Sequence, residues 1–233
     1  MALAAVPALS QTITRGPLLQ NPDADPTKTT FLWWTSPAGN STVEYGLTPS
    51  LGQSLTVPQA SSCEVGSAGT CHTVTLTGLT PDTVYYYRLL TNGVPLTTTT
   101  YFTTLAAAGV NTDFFFTVIG DWGQATTQEA QLAALQNTAD PQMVLTVGDN
   151  TYHTFGSQAE LDSRSLAYYA SVFPRTFYFP TLGNHDFHFT SVGSYASLPS
   201  IKTLALPRNP PACEVERYYS FRSGQAHFTL IGT

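Results

Sequence analysis

The feature that most constrains the fold is a set of three continuous apolar runs in the second half of the sequence. They are DFFFTVIGD (113–121), MVLTVGD (143–149) and FYFPTLGN (177–184). Strands with apolar residues at consecutive positions are typically buried on both faces, as in α/β sheets. Helical patterns lie between the runs, and strand–helix–strand order implies right-handed crossovers. Residues 113–233 are therefore predicted to form an α/β layer.

Two capping-box sequences mark the starts of the intervening helices. TTQE (126–129) precedes AQLAALQN, and SQAE (157–160) precedes LDSRSLAYYASVF. In a capping box, the hydroxyl of the first residue and the carboxylate of the fourth each accept a backbone N–H bond at the helix start. Both segments are predicted to be helices. A further pattern, RYYSFRSGQAHFTLI (217–231), predicts a hairpin of two strands.

Residues 13–104 predict a separate all-β domain. Short segments rich in β-branched and aromatic residues are separated by Gly, Pro and Asn. They are FLWWTS (31–36), TVEYGL (42–47), HTVTLTGL (72–79), TVYYYRLLTNG (83–93) and TTTTYFTT (97–104). Such regular short strands indicate a sandwich. Asn92-Gly93 is predicted to be a hairpin turn, and LAAAGVNT (105–112), which has no pattern, is predicted to be a linker.

Charge and hydropathy exclude two classes of partner. The net charge is −6 and only nine residues are Lys or Arg, without a basic stripe, so nucleic acid is not an expected partner. No run approaches the roughly 18 apolar residues of a membrane span. The negative charge of a phosphate-bearing substrate would need positive charge from another source, and bound metal ions are the obvious one.

The first residues and the cysteines bear on the cellular compartment. Residues 1–12 begin with small apolar residues but lack a basic start, so they are either a leader remnant or an Ala-rich start. Cys63 and Cys71 flank a Gly-containing segment and are expected to form a disulfide, with two free thiols as the alternative. Cys213 has no predicted disulfide partner among these residues. A disulfide suits a secreted protein, extracellular or periplasmic.

Each of the three apolar runs ends in a turn that carries metal-type ligands. These turns are GDWG, GDNTY and GNHD. Ligand sites in α/β proteins gather at the carboxyl ends of the strands, so Asp121, Asp149 and Asn184 are expected to lie together. Carboxylates are hard oxygen donors that suit hard cations, and one carboxylate can bridge the two ions of a two-metal site.

The three turns together resemble the first three of the five signature blocks of calcineurin-like metallophosphoesterases. Tyr152, three residues after Asp149, narrows the resemblance to the purple acid phosphatases. LTPDTVYYYR (79–88) resembles the corner before a late strand of fibronectin type III domains, which also precede the phosphatase domain in that family. The resemblance implies two domains, an all-β fibronectin type III-like sandwich followed by an incomplete α/β (α/β/β/α-type) metallophosphoesterase domain.

The resemblance also assigns roles to five residues. Asp121 would bind a ferric ion, and Asp149 would bridge it to a divalent ion, which would be Zn, Mn or Fe(II). Tyr152 would bind the ferric ion as a phenolate, and Asn184 would bind the divalent ion through its amide oxygen. His185 would be the catalytic residue that contacts the phosphate.

The other histidines near the motifs match no ligand block. His153 and His188 are expected beside the site, and His227, inside an apolar strand, is expected to be a core or edge histidine. Asp186 stands where the family often has Glu, and it is expected to orient His185 rather than bind metal.

The family's fourth and fifth blocks, a single His and then Gly-His-x-His, have no counterpart in these residues. The chain therefore offers four of seven expected ligands, and we expect it to bind metal weakly and to have little or no activity. A full-length parent would hydrolyse small phosphate monoesters with a metal-activated water. Two alternatives remain: a Mn or Zn phosphodiesterase or nucleotide-cleaving relative, with Tyr152 as a packing aromatic, and a non-catalytic extracellular binding module. The sequence gives no indication of the oligomeric state.

Overall fold

The computed structural model describes residues 11–36, 38–58, 70–152, 161–191, 194–197 and 218–232. Several predicted features lie outside these residues and stay predictions, namely the first ten residues, Cys63, His153, the capping sequence at 157–160 and Cys213. Within the described part of the chain, no helix is long and apolar enough to cross a membrane.

The described residues of the N-terminal half form eight strands. They are β1 (Thr12–Gln20), β2 (Thr29–Ser36), β3 (Ser41–Gly46), β4 (Gln53–Val57), β5 (Thr70–Leu76), β6 (Val84–Thr91), β7 (Val94–Pro95) and β8 (Thr100–Thr103). The strands β5-β2-β1 form one antiparallel group, and β4-β3-β6-β7 form a second sheet in which β8 also pairs with β6. All five predicted strand segments are confirmed, whereas β1, β4 and β7 were not predicted.

Aromatic side chains fill the space between these two sheets. The Phe31 ring on β2 lies 4.7 Å from the Tyr87 ring on β6 and 5.5 Å from the Phe102 ring on β8. All three side chains are fully buried, and burying a side chain of this size contributes roughly 1.5–3 kcal/mol. Between β6 and β7, Asn92 and Gly93 both have positive φ, 51° and 76°, so the predicted hairpin turn is confirmed.

The C-terminal half contains seven further strands and one regular α-helix among its described residues. They are β9 (Phe116–Ile119), α1 (Thr127–Ala139), β10 (Met143–Thr146), β11 (Phe177–Phe179), β12 (Phe187–Ser191), β13 (Ser194–Ser197), β14 (Tyr218–Ser223) and β15 (Ala226–Ile231). The strands β9, β10 and β11 are parallel neighbours. β14 and β15 form an antiparallel hairpin, which confirms the hairpin predicted at 217–231.

The helix α1 begins at the predicted capping sequence. The Thr126 side chain accepts a hydrogen bond from the backbone N–H of Glu129. The Glu129 carboxylate in turn accepts from the backbone N–H groups of Gln124 (3.1 Å) and Ala125 (2.7 Å). These bonds satisfy backbone donors around the helix start that would otherwise be unpaired, and they fix the turn that follows β9.

The segment predicted as a second helix is irregular. It contains a π-helical turn at Asp162–Leu166, in which Ala167 N donates to Asp162 O at 2.9 Å, and continues as turns. Two long-range contacts hold this turn: Asp162 is ion-paired with Arg15, and the Ser165 hydroxyl donates to the carbonyl of Asn150. A capping pattern predicts only where a helix starts. It could not predict these two contacts, which tie the first turn of the segment to distant parts of the chain.

One sheet runs through both halves. β1 pairs in parallel with β11 through Leu19 and Phe177, which gives the order β5-β2-β1-β11-β10-β9. The Phe102 ring of the sandwich lies 6.3 Å from the Phe177 ring, and the Tyr87 hydroxyl donates to the carbonyl of Pro174 at 2.6 Å. The two halves are therefore joined by shared packing as well as by residues 105–112.

Burial differs among the three apolar runs. β10 and β11 are buried along their whole length, but β9 is not. Phe116 and Val118 on β9 are exposed, because β9 is the edge strand of the sheet in the described part of the chain. The prediction that all three runs are buried on both faces is therefore wrong for β9.

Candidate metal centre

Asp121 and Asp149 lie just beyond the ends of two adjacent parallel strands, β9 and β10. Both have left-handed backbone, with φ of 55° and 52°, which is uncommon for residues other than glycine. The backbone N–H of Asp121 donates to the carbonyl of Gly148 at 3.3 Å, so the two turns are tied together. Backbone strain of this kind concentrates at functional sites.

Tyr152 connects the two carboxylates. Its hydroxyl donates a hydrogen bond to Asp121. Burial, followed by hydrogen bonds to Asp121 and Asp149, raises the pKa of the Tyr152 hydroxyl well above its ordinary value. The phenol oxygen and two carboxylates are thus brought to one place by turns that follow two different strands.

The GNHD turn lies against the GDNTY turn. The backbone N–H of His185 donates to a carboxylate oxygen of Asp149 at 3.0 Å, and the His185 ring centre is 4.5 Å from that of Tyr152. A side chain at Gly183 would not fit, because its Cβ would lie 2.2 Å from Asp149 Oδ1. Asn184 is an exposed residue of the same 3-10 turn, Asn184–Asp186.

The donor set fits a hard cation. Two carboxylates and a phenol oxygen converge, and hard cations prefer oxygen donors of this kind. The Asp121 and His185 side chains are exposed, so the centre is accessible from solvent. Among the residues that the structure describes, no three His, Cys, Asp or Glu side chains form a metal-binding group, so Tyr152 and Asn184 would have to add their oxygens to those of the two carboxylates.

Asp186 does not perform the predicted role. Its buried carboxylate accepts hydrogen bonds from the backbone N–H of Asn150 (2.9 Å), from Asn150 Nδ2 (2.8 Å) and from the backbone N–H of Gly183 (2.9 Å). The expectation that it orients His185 is wrong, because its oxygens bind Asn150 of the preceding motif and the backbone of Gly183 in its own turn. Burial raises the pKa of Asp186 to about 6, and these hydrogen bonds oppose that rise.

Sequence reasoning missed two residues that support the turns of the candidate metal centre, namely Asn150 and Trp122. Both lie within the motif turns and are fully or almost fully buried, and the Trp122 indole N–H donates to Asn150 Oδ1 at 3.0 Å. Their position inside the motifs was the available signal. His227 is exposed on β15, as an edge histidine would be, and His188 lies on β12, where only the backbone is described.

Comparisons with known proteins agree with this arrangement. Residues 116–227 match the calcineurin-like phosphoesterase family. Residues 16–104 match the purple acid phosphatase N-terminal domain. The chain therefore belongs to the purple acid phosphatase family of calcineurin-like metallophosphoesterases.

Similar proteins include plant phosphatases. The chain is 27% identical to purple acid phosphatase 23 of Arabidopsis thaliana and 25% identical to purple acid phosphatase 1 of Ipomoea batatas; the matches cover 71% and 70% of the chain, and 41% and 35% of those proteins. The chain thus spans less than half the length of these relatives.

Two solved structures share the fold. Purple acid phosphatase PPD1 from yellow lupin (Lupinus luteus) seeds aligns with a TM-score of 0.68 at 18% identity, over 91% of this chain and 43% of that one. PhoD aligns with a TM-score of 0.63 at 15% identity, over 91% and 50% of the respective chains.

Proposed function

We propose that the protein, in its full-length form, is a dinuclear-metal acid phosphatase that hydrolyses small phosphate monoesters. The observation that carries the proposal is the convergence of Asp121, Asp149 and Tyr152 on one accessible place. Membership of the purple acid phosphatase family supports the same function.

In this proposal each residue has one role at the metal centre. Asp121 and Tyr152 would hold Fe(III), Asp149 would bind both ions, and Asn184 would bind the divalent ion, which would be Zn, Mn or Fe(II). The bound ions would lower the pKa of a water molecule that attacks phosphorus. His185, exposed and beside Tyr152, contacts the phosphate and assists the leaving group.

The contact of Tyr152 favours an acid phosphatase over a Mn or Zn phosphodiesterase. A tyrosine that served only as a packing aromatic would not need its hydroxyl against two carboxylates, whereas here it faces both Asp121 and Asp149. A phenolate ligand to Fe(III) gives a visible charge-transfer band, which a Mn or Zn pair would lack. The full-length parent should show such a band, and a colourless, active enzyme would favour the phosphodiesterase.

We further propose that these 233 residues alone bind metal weakly. They supply four of the seven ligands that the family uses, and metal affinity depends on ligand count and geometry. Metal analysis of the purified chain tests this proposal, and two tightly bound ions per chain would contradict it.

The reaction itself is tested with two chromogenic substrates. The full-length parent should hydrolyse p-nitrophenyl phosphate much faster than bis(p-nitrophenyl) phosphate. Faster cleavage of the diester would contradict the monoesterase proposal but not the metal centre.

Export is also a proposal. Cys71 is fully buried in β5, and its predicted bridge to Cys63 would suit an extracellular or periplasmic protein. Mass spectrometry of the unreduced protein would detect a peptide containing both cysteines, and two alkylated thiols would contradict the bridge.

A further inference from the structure

One buried side chain belongs to the second motif turn of the proposed metal centre and contacts the other two. Asn150, the residue after Asp149, is fully buried. Its amide nitrogen Nδ2 donates to the carbonyl of Thr181 at 2.8 Å and to Asp186 Oδ2 at 2.8 Å. Its amide oxygen Oδ1 accepts from Thr146 Oγ1 at 2.7 Å and from Trp122 Nε1 at 3.0 Å.

These contacts require an amide at position 150. A primary amide offers two N–H donors and one oxygen with two lone pairs, and both ends are used here. The indole N–H of Trp122 can only donate, and the carbonyl of Thr181 can only accept, so the orientation of the amide is fixed. A carboxylate would present an oxygen to the Thr181 carbonyl and to the Asp186 carboxylate, and an apolar side chain would leave several buried groups unpaired.

The backbone of the same residue is held from two sides. Its N–H donates to Asp186 Oδ1 at 2.9 Å, and its carbonyl accepts from Ser165 Oγ at 2.5 Å. The preceding residue, Asp149, has the left-handed φ of 52°, a conformation that persists only where surrounding contacts enforce it. The contacts of Asn150 supply that enforcement.

We infer that Asn150 is a positioning residue of the proposed metal centre, an inference that rests on the proposed function. It holds the Asp149 turn directly. Through Trp122 it holds the turn that carries Asp121, and through Asp186 it holds the turn that carries Asn184. Asn150 itself, being fully buried behind these turns, binds neither metal nor substrate.

The test compares Asn150→Ala with a matched control, Asn21→Ala. Asn21 is also fully buried, and its Nδ2 donates to the carbonyls of Asp25 (2.7 Å) and Lys28 (3.1 Å). It lies in the turn between β1 and β2, so its loss removes a buried amide without touching the centre. Asn150→Ser is a second, milder variant for use if Asn150→Ala does not fold.

The first measurement needs no metal. Hydrogen exchange of the Trp122 indole N–H, followed by NMR, should be faster in the Asn150 variant than in the unaltered protein and unchanged in Asn21→Ala. Unchanged protection in the Asn150 variant would overturn the inference, because it would show that the indole does not depend on this amide.

The second measurement is Mn²⁺ affinity by calorimetry. Loss of the group that orients metal ligands typically weakens metal binding by about 10–100-fold, so we expect that loss in the Asn150 variant and unchanged affinity in Asn21→Ala. Equal affinities in the Asn150 variant and the unaltered protein would overturn the positioning role. If the unaltered protein bound no measurable Mn²⁺, the hydrogen exchange of the Trp122 indole would still decide the positioning role, so this inference and the proposed function can fail separately.

Discussion

The hydroxyl of Tyr152 donates a hydrogen bond to the carboxylate of Asp121, joining two turns that are 31 residues apart in the chain. A second pair of the same chemistry exists in the molecule, because the Tyr101 hydroxyl donates to Asp140. The pairs differ in their surroundings. Tyr152 also faces a second carboxylate, Asp149, whereas Asp140 is ion-paired with Arg175. Among the described residues, a basic side chain compensates the carboxylate of the second pair but not those of the first, so the first pair offers negative charge to a cation.

The first prediction concerns Tyr152. Addition of excess Fe(III) to the protein should produce a visible charge-transfer band, because a phenolate would bind the ion. The band should be absent in Tyr152→Phe, and it should persist in Tyr101→Phe, which removes the hydroxyl of the other pair. Absorption spectroscopy measures it, and a band that survives Tyr152→Phe would show that another residue supplies the ligand.

The second prediction concerns Gly183. A Cβ at this position would lie 2.2 Å from Asp149 Oδ1 and 2.4 Å from Asp149 N, so Gly183→Ala should displace the Asp149 turn and weaken Mn²⁺ binding by at least about tenfold, as loss of ligand orientation does. The control is Gly78→Ala, where φ is +72° and no atom lies within 4 Å.

The control variant should lose about 1 kcal/mol of stability because alanine disfavours positive φ. Its Mn²⁺ affinity should be unchanged. Calorimetric titration of both variants decides the matter: full affinity in Gly183→Ala would mean that the Asp149 turn tolerates the extra atom and is not tightly positioned.

The third prediction concerns His72 and the pH dependence of stability. His72 is fully buried, with one ring nitrogen 2.6 Å from Thr35 Oγ1 and the other 2.8 Å from Ser41 Oγ. Burial lowers the pKa of His72 to about 4, from an ordinary value of 6.5. Between these values the unfolded chain binds a proton that the folded chain does not, so stability should fall as the pH drops from 6.5 to 4.

The decrease attributable to His72 should reach at most about 3 kcal/mol at the lower end of this range. His72→Gln should remove that part of the pH dependence, while His227→Gln, which changes an exposed histidine, should retain it. Urea unfolding from pH 4.5 to 7 measures the slope, and equal slopes in the two variants would contradict the prediction.

The fourth prediction concerns the contact between the two halves of the protein. Arg15, 8% exposed, is ion-paired with Asp162 through two nitrogens and lies over the Trp34 ring at 4.6 Å. Arg15→Ala should destabilise the protein by about 1–3 kcal/mol, less than a fully buried pair would cost because Asp162 is partly exposed.

Arg88→Ala is the matched control for this ion pair. Arg88 pairs with Glu44 at a more exposed position, where such pairs contribute about 0–1 kcal/mol. Urea unfolding of both variants measures the difference in the free energy of unfolding. An equal effect of the two substitutions would mean that the Arg15 contact does not join the halves.

Local sequence patterns were sufficient for many of the elements. The alternation of β-branched and aromatic residues located five strands of the sandwich, Thr126 marked the start of α1, and Asn92-Gly93 marked a hairpin turn. The patterns failed where long-range pairing decides the structure. β1 contains Gly16-Pro17 in its middle, which locally argues against a strand, but pairing with β2 on one side and β11 on the other holds it in the sheet.

The candidate metal centre was likewise predictable from local patterns only in part. The order of apolar runs and polar turns predicted that Asp121 and Asp149 would meet, because parallel strands end at one edge of a sheet. The partner of Asp186 could not be predicted in this way. Asn150 lies 36 residues earlier in the chain, and only the folded arrangement shows that the carboxylate of Asp186 faces this amide and not His185.

The central claim is that Asp121, Asp149 and Tyr152 share a bound metal ion. Crystals of the protein soaked in Fe(III) would test it through anomalous diffraction at the iron absorption edge. The account predicts an anomalous peak within coordination distance of oxygen atoms from all three side chains. A peak bound by other residues, or none at these oxygens under saturating Fe(III), would contradict it.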